Sequence, residues 1–385
     1  MKIRDCIYLN PPKNSNIHKD YINYIDTSSV TDGKLDEVSY LTSDFPSRAQ
    51  RMVQYGDILY SSVRPNLKHY YYYRDSYSHP IASSGFVLLR NKDTNQCDTE
   101  FTYYYLSTKE VVSYLSNIAE SSQATFPSFL PKDLGGITLP NVNVKTQRRI
   151  ASILSAYDSQ IENNQKRIKL LEQMAENLYK EWFVRFRFPG YENAEYEGGV
   201  PKGWRQVTLG EYADVTMGQS PESCFYNNEK QGLPFHQGVG SYGDFYLQDD
   251  VYSIEGKRLA DANSIIFSVR APVGRINITL NRIILGRGVA GINARNGNNS
   301  FLLWLLKNKF AKEDIIGNGA IFTSVTKDEL LNQKILIPIR EIEESFNTLA
   351  SNIEKEIRFL TLQKANLTHQ RDLLLPRLMS GKLSI

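Results

Sequence analysis

The chain has 385 residues, of which 41% are hydrophobic and 23% are charged, and its formal net charge is +3. This length allows two or three domains, and so small a positive charge is by itself a weak sign of nucleic-acid binding. The cysteines Cys6, Cys97 and Cys224 lie far apart, which argues against a disulfide scaffold or structural zinc and favours a reducing compartment. Without an apolar signal segment or a run of 18 apolar residues, we expect a cytoplasmic protein with no membrane span.

Residues 1–143 are predicted to form the first of two strand-rich domains. Short β-type runs at 22–25, 58–60 and 85–89 are separated by Gly, Pro, Asn and Ser. The spacing of apolar residues then predicts one helix from Glu100 to Ala119.

Residues 144–186 are predicted to form one long helix. Its apolar residues alternate spacings of four and three, which is typical of a coiled-coil seam. Pro189 and Gly190 end the helix, and Asp158 lies among the solvent-facing positions between seam residues. The seam, with one polar member, comprises Ile150, Leu154, Tyr157, Ile161, Asn164, Ile168 and Leu171 and continues through Ala175, Leu178 and Trp182.

A connector at 187–203, rich in Gly, Pro and Glu, precedes a second strand-rich domain at 204–340. Residues 264–272 resemble residues 57–65, with Arg270 after Ser-Val as the counterpart of Arg64, and a helix is predicted from Phe301 to Phe310. The chain is therefore an internal repeat of about half its length.

A second long helix is predicted at 341–380, and each seam residue lies 196 positions after its first-copy counterpart. We expect the two helices to pair with each other, parallel or antiparallel; the alternative is that each packs separately on its own domain. The second seam includes Phe346, Ala350, Ile353, Ile357, Leu360 and Leu367. The offset extends upstream, where Ala124, Phe126, Ser128 and Leu134 recur as Ala320, Phe322, Ser324 and Leu330.

No motif in the chain specifies catalysis, a metal or a cofactor. The two G-x-G-x-x-G matches, which begin at Gly238 and Gly286, lack the strand-then-helix context of a dinucleotide site, so we interpret them as turns. Glu255 and Lys257, with Asp244 upstream, resemble a metal-nuclease motif but lack a surrounding apolar strand. We therefore expect a non-catalytic protein with no cofactor.

Two regions combine cations, aromatic rings and amides, the side chains that contact DNA. Arg can bind guanine through two hydrogen bonds, Asn or Gln can do so with adenine, and Lys neutralises phosphate. The alternative is a strand with Tyr and Arg on its wet face. The candidate residues are Arg64, Asn66, Lys68, His69, Tyr70, Tyr71 and Arg74 in the first region, and His236, Gln237, Tyr242, Arg270, Arg275 and Arg287 in the second.

Taken together, these features resemble the specificity subunit of type I restriction–modification systems. The segments that carry the resemblance are YIDTSSV (24–30), GDILY (56–60), VRP (63–65), QRRIA (147–151), YKEWFVRF (179–186), PKGW (201–204), SVRAPVG (268–274) and LPRLMSGKL (375–383). They are spread over nearly the full chain, and the doubled architecture is specific to that family.

The resemblance implies an α+β fold in which two pseudo-repeated target-recognition domains are separated by two long helices packed as a coiled coil. Each domain would read one half of a bipartite double-stranded DNA sequence. The helices would set the spacer and dock two modification (methyltransferase) subunits, and restriction subunits, which are ATP-dependent endonucleases, would join that core.

The chain also departs from a perfect repeat. The first domain lacks a lead like the segment 201–204, and Glu343 stands where the first copy has Gln147. Lys364 and Arg371 interrupt the second seam, so we expect looser packing in that half. Two other functions stay open, namely a coiled-coil scaffold joining two protein-binding domains and an unrecognised magnesium-dependent nuclease.

Overall fold

The computed structural model describes residues 1–12, 20–122, 126–311, 315–316, 320–321 and 324–383. Ala124 and Phe322, two members of the sequence repeat, lie outside these ranges. The chain divides into two compact units, Met1–Asn163 with Gln363–Ile385, and Asn164–Leu362. None of the described helices is long and apolar enough to cross a membrane.

The first unit contains ten strands and four short α-helices among its described residues, and the first long helix begins there. The strands are β1 (Ile7–Leu9), β2 (Ile22–Ile25), β3 (Val30–Thr31), β4 (Lys34–Leu35), β5 (Ser39–Leu41), β6 (Ala49–Met52), β7 (Ile58–Ser61), β8 (Tyr70–Tyr72), β9 (Pro80–Ser83) and β10 (Phe86–Asn91). The helices are α1 (Ile3–Cys6), α2 (Thr99–Leu106), α3 (Lys109–Glu120), α4 (Pro131–Gly135) and α5 (Val144–Tyr179).

The second unit repeats this arrangement with more, shorter strands. The strands are β11 (Tyr196–Glu197), β12 (Val200–Pro201), β13 (Arg205–Thr208), β14 (Ala213–Met217), β15 (Tyr226–Asn227), β16 (Leu233–His236), β17 (Tyr252–Ser253), β18 (Leu259–Ala260), β19 (Ile265–Ser268), β20 (Ile276–Ile278), β21 (Ile283–Leu285), β22 (Val289–Ala294), β23 (Ile315–Ile316), β24 (Ala320–Ile321) and β25 (Lys334–Ile337). The helices are α6 (Leu209–Tyr212), α7 (Asn299–Lys309), α8 (Lys327–Leu331) and α9 (Arg340–Met379).

Each unit is built around an antiparallel four-stranded sheet with the same strand order. The order is β1-β10-β7-β8 in the first unit and β14-β22-β19-β20 in the second. A second sheet accompanies each, β5-β2-β9-β6 and β15-β17-β16-β21-β18, and both contain one parallel pair. The internal repeat predicted from the sequence is therefore confirmed as a repeat of topology.

One of the two inner strands of each main sheet, β7 in the first unit and β19 in the second, is buried on both faces. In β7, Ile58 and Tyr60 belong to one apolar cluster and Leu59 to another. In β19, Ile265 and Ile266 divide between two clusters in the same way. Continuous apolar runs mark both strands in the sequence because neither face meets water.

The predicted helix from Glu100 to Ala119 is interrupted and forms α2 and α3 instead. The hydroxyls of Ser107 and Thr108 donate to the carbonyls of Tyr104 and Tyr105, each at 2.8 Å. These side chains satisfy the last carbonyls of α2, which favours ending the helix there.

Within each unit, one half of α5 packs antiparallel to the opposite half of α9. In the first unit, Ile150 and Leu154 share a core with Leu378, while Asp158 pairs with Arg371. In the second unit, the Trp182 ring lies 5.8 Å from the ring of Phe346, and Arg167 pairs with Glu356. The two helices therefore pair with each other and do not pack separately, although the same helix halves also pack on the globular domain of their unit.

Most of the residues on the predicted seam are buried. Ile150, Leu154, Ile161, Asn164 and Ile168 are buried, whereas Tyr157 and Leu171 are partly exposed. In the second copy Phe346, Ala350, Ile353, Ile357 and Leu360 are buried and Leu367 is partly exposed.

The second half of α9 is more open than the first, as its polar seam positions suggest. Between Leu360 and Leu378 none of the described residues is fully buried. A cavity of about 530 Å³ lies beside Arg371 and Leu375.

We predict that Leu154→Ala lowers the free energy of unfolding by about 2–5 kcal/mol, because Leu154 is fully buried and its removal leaves a cavity. Urea denaturation followed by circular dichroism measures the change. Gln160→Ala on the exposed side of the same helix is the control and should change stability by less than about 0.5 kcal/mol. Equal effects of the two substitutions on stability would contradict the burial of Leu154 in the seam.

Candidate nucleic-acid interface

In the first unit, the hairpin loop between β7 and β8 carries an exposed arginine. We call residues 62–69 the Arg64 loop. The Arg64 backbone is left-handed, with φ of 47°, and its N–H donates to the carbonyl of Pro127 at 2.9 Å. Its guanidinium lies 5.6 Å from the centre of the Phe126 ring. Among the residues that the structure describes, Arg64 forms no ion pair, so its donors are available to a ligand.

Two further exposed candidates, Asn66 and Lys68, lie on the same loop. The Lys68 ammonium is 3.4 Å from a carboxylate oxygen of Asp32, and both side chains are half exposed. Such a pair contributes little to stability and exchanges readily for a phosphate contact. The Arg64 loop thus presents two cations and an amide.

The other first-unit candidates serve the interior of the domain. Tyr70 is buried and donates to Asp32 at 2.8 Å, and the His69 ring meets the Val30 carbonyl. The Tyr71 hydroxyl donates to Asp75 at 2.7 Å. Arg74 is paired with Glu100 and lies 5.1 Å from the centre of the Tyr72 ring. Because these groups already have partners, we do not expect direct base contacts from them.

In the second unit, three exposed candidates lie on adjoining segments of backbone. We call Gln237, Arg270 and Arg287 the Arg270 patch. The Gly288 N–H donates to the Gln237 carbonyl, and the Val269 N–H donates to the Gly288 carbonyl, each at 2.9 Å. These bonds hold the three segments side by side. Within the described part of the chain, neither arginine of the patch forms an ion pair.

The glycines of the second G-x-G-x-x-G match permit this close backbone crossing. A Cβ on Gly288 would lie 2.2 Å from the Gln237 carbonyl oxygen, and one on Gly286 would lie 2.7 Å from the Gln237 Cα. No side chain fits at such distances. This requirement accounts for the motif, which bears no relation to a dinucleotide site because strand β22 follows it.

His236 lies inside the second unit with both ring nitrogens engaged. They lie 2.8 Å from the Ser241 hydroxyl and 3.0 Å from a carboxylate oxygen of Asp249. Although burial raises the pKa of Asp249, hydrogen bonds from His236 and Asn281 lower it overall. His236 therefore braces the strand that ends beside Gln237, and burial keeps it from direct contact with a ligand.

The two remaining candidates of the second unit differ in exposure. The hydroxyl of Tyr242 is buried, and burial raises its pKa, so it is unsuited to contact a base. Arg275 is exposed and lies on the hairpin between β19 and β20. It extends the cationic surface of that hairpin.

The arginines of the two domains are not equivalent in the fold. Ser61 pairs with Phe86 and Ser268 pairs with Val289, which aligns β7 with β19 at an offset of 207 residues. By this register Arg64 corresponds to Ala271, and Arg270 corresponds to Val63. The two hairpins therefore present their cations from different positions.

The sequence did not indicate which candidate side chains have acidic partners. Asp32 and Glu100 lie far along the chain from Lys68 and Arg74, and only folding brings them together. Among the described residues no group of three or more His, Cys, Asp or Glu could hold a metal ion. Glu255 and Lys257 are both exposed, and Asp244 accepts a hydrogen bond from Gln165 at 2.9 Å.

We predict that Gly288→Ala disrupts the Arg270 patch, because its Cβ would collide with the Gln237 carbonyl. Faster hydrogen exchange at the amides of residues 286–289 and a lower melting temperature should follow. Gly240→Ala is the matched control, since a Cβ there meets nothing within 4 Å. If the amides of residues 286–289 exchange at the same rate in the two variants, the close approach of this segment to the Gln237 backbone is wrong.

Comparison with known proteins identifies the family. The model of the type I restriction modification DNA specificity domain matches the chain twice, at residues 7–173 and 201–367. A protein of Methanocaldococcus jannaschii named for the specificity subunit of the MjaX type I restriction enzyme is 29% identical over 78% of this chain and 71% of its own length. The HindI specificity subunit of Haemophilus influenzae is 24% identical over 94% of each chain.

A solved structure shares the fold. The specificity subunit of a type I restriction–modification system from M. genitalium superposes with a TM-score of 0.61, at 15% identity, over 98% of this chain and 95% of its own. The family model covers both repeats, each including a globular domain and most of its long helix. The chain therefore belongs to the type I restriction–modification DNA specificity family and contains two copies of its domain.

Proposed function

We propose that this chain is a non-catalytic subunit that reads a bipartite sequence in double-stranded DNA. The domain at 1–143 contacts one half-site and the domain at 204–340 contacts the other. Arginine and amide side chains contact base edges, while lysines neutralise phosphates. Because the DNA that it would bind is intracellular, we propose that the protein is located in the cytoplasm.

One observation carries this proposal. Each repeated domain presents an exposed arginine at the hairpin that follows an inner strand of its main sheet, Arg64 after β7 in the first and Arg270 after β19 in the second. Within the described residues neither arginine forms an ion pair. Their guanidinium donors are therefore available to an external partner.

The long helices at 144–186 and 341–380 have a proposed role in assembly. Their length and mutual packing set the spacer between the half-sites. Their outer faces dock two modification (methyltransferase) subunits, and ATP-dependent restriction subunits join that core. The modification subunit would extrude the target base for methylation, so this chain supplies position and not chemistry.

We predict that co-expression with its modification partner in a methylation-free host produces methylation at a split sequence. Replacing residues 204–340 with the equivalent domain of another family member should change one half of that sequence and leave the other half intact. Genome-wide mapping of methylated bases measures both. An unsplit motif, or a motif unchanged by the exchange, would refute the proposed function.

We predict that Arg270→Ala weakens specific binding by about 1–3 kcal/mol and relaxes preference in one half-site, because a bidentate arginine–guanine contact is lost. Fluorescence anisotropy of the assembled complex on its target duplex measures the affinity across salt concentrations. Arg282→Ala is the control, since Arg282 is exposed but already paired with Asp261 at 3.1 Å. Binding that does not fall with salt would favour a protein scaffold over a DNA-binding subunit.

A further inference from the structure

In the first unit, helix α2 is attached to α5 at two separate points. At its start, the Asp98 N–H donates to the Gln147 side chain at 2.9 Å. At its end, the Tyr104 hydroxyl donates to an Asp158 oxygen at 2.6 Å. Tyr104 is buried, and burial together with the Asp158 carboxylate raises its pKa, so the hydroxyl remains a donor. Asp158, predicted to face solvent, instead joins the domain to the helix.

In the second unit, helix α7 is attached to α9 at the corresponding points. Near its start, Asn296 and Asn298 donate to Glu343, each at 2.7 Å. Further along, the Trp304 indole N–H donates to Glu354 at 2.9 Å, and Ser300 donates at 2.7 Å. Burial raises the pKa of Glu354, although the bonds from Ser300 and Trp304 oppose that shift.

The two repeats attach the domain helix to a long helix at corresponding positions. Gln147 and Asp158 lie 196 positions before Glu343 and Glu354, the offset of the long helices themselves. On the domain side, Asp98 and Tyr104 lie 200 positions before Asn298 and Trp304. The donor groups on the domain helix differ between the two repeats, but the positions of the contacts are the same. A required contact can persist in this way when its residues change.

Each attachment also reaches the other long helix of its unit. In the first unit, Arg371 of α9 donates to the second oxygen of Asp158 at 2.7 Å. In the second unit, Lys307 of α7 pairs with Glu172 of α5 at 2.5 Å and lies 5.0 Å from the centre of the Trp304 ring. In the second unit the domain helix is therefore bonded to both long helices, whereas in the first unit Asp158 of α5 is bonded both to the domain helix and to α9.

We propose that Asp158 and Glu354 are positioning residues that fix the angle of each recognition domain on its long helix, and through it the spacing between half-sites that the protein accepts. The inference rests on the proposed function. Two contacts 11 residues apart on a helix lie about 16 Å apart along its axis. Two such contacts fix the direction of the domain helix relative to the long helix. The apolar contacts between them would by themselves allow the domain helix to slide or rotate.

The chemistry of the contacts suits this role. Hydrogen bonds to a carboxylate are shorter and stronger than bonds between neutral groups, and their strength falls steeply when the donor moves. The Asp158 and Arg371 side chains are only 23% and 25% exposed, so solvent screens their attraction less than at the surface. A small rotation of α2 lengthens the Tyr104–Asp158 bond and so weakens it.

The test uses the complete complex with modification subunits, on duplexes designed from the methylation pattern of the wild-type complex. One duplex has both half-sites at natural spacing, two have the spacing changed by one base pair, and one has the first half-site alone. For Tyr104→Phe and Asp158→Asn, we expect the preference for natural spacing to fall about tenfold or more, because a charge-assisted bond is lost. Affinity for the single half-site should stay within about twofold.

Tyr105→Phe is the matched control, because Tyr105 lies on the same helix and its hydroxyl bonds to no other described residue. It should retain the full spacing preference, and Asp158→Glu, which keeps the carboxylate, should retain most of it. The inference is overturned if Tyr104→Phe lowers the stability of the protein, and lowers its affinity for the natural-spacing duplex and for the single half-site equally, while the spacing preference persists. If the wild-type complex itself ignores spacing, the proposed function fails and the inference fails with it.

Discussion

The structure depends on one constraint: a single apolar stripe on each long helix must satisfy two neighbours at once. In the first unit, Ile150 and Leu154 pack in one core with Phe101 of the domain and Leu378 of the opposite helix. In the second, Phe346 packs with both Phe301 and Trp182. Neither core is complete without a segment from far along the chain. Such non-local contacts are expected to slow folding.

Much of this arrangement could be predicted from the sequence because it is periodic. The four-three spacing identifies the buried stripe, and the 196-residue offset from Ile150 to Phe346 identifies its partner. Helix direction could not be predicted, because an a/d stripe is the same when read from either end. The structure shows the antiparallel pairing in apolar contacts such as Trp182 with Phe346, and in the ion pairs Asp158 with Arg371 and Arg167 with Glu356.

The candidate interface was harder to predict because exposure depends on distant partners. Arg64 and Arg74 look alike in the sequence, yet Glu100 neutralises one of them and no described carboxylate pairs with the other. In the sequence His236 resembles a ligand-binding residue, but in the structure both of its ring nitrogens are hydrogen-bonded, one to Ser241 and the other to Asp249. Local composition reports which side chains can bind DNA, while tertiary structure decides which of them are free to do so.

The two repeats differ in a way that separates framework from recognition. The main sheets keep one strand order, and the attachment points of the long helices keep one offset. The second sheets have different numbers of strands, and the exposed arginines of the hairpins are shifted by one residue, so Arg270 corresponds to Val63. A hairpin loop has no packing partner that dictates its side chains, whereas a buried carboxylate such as Glu343 must keep its donors. Binding preference can therefore change at the hairpin while the helix contacts that hold the domain stay intact.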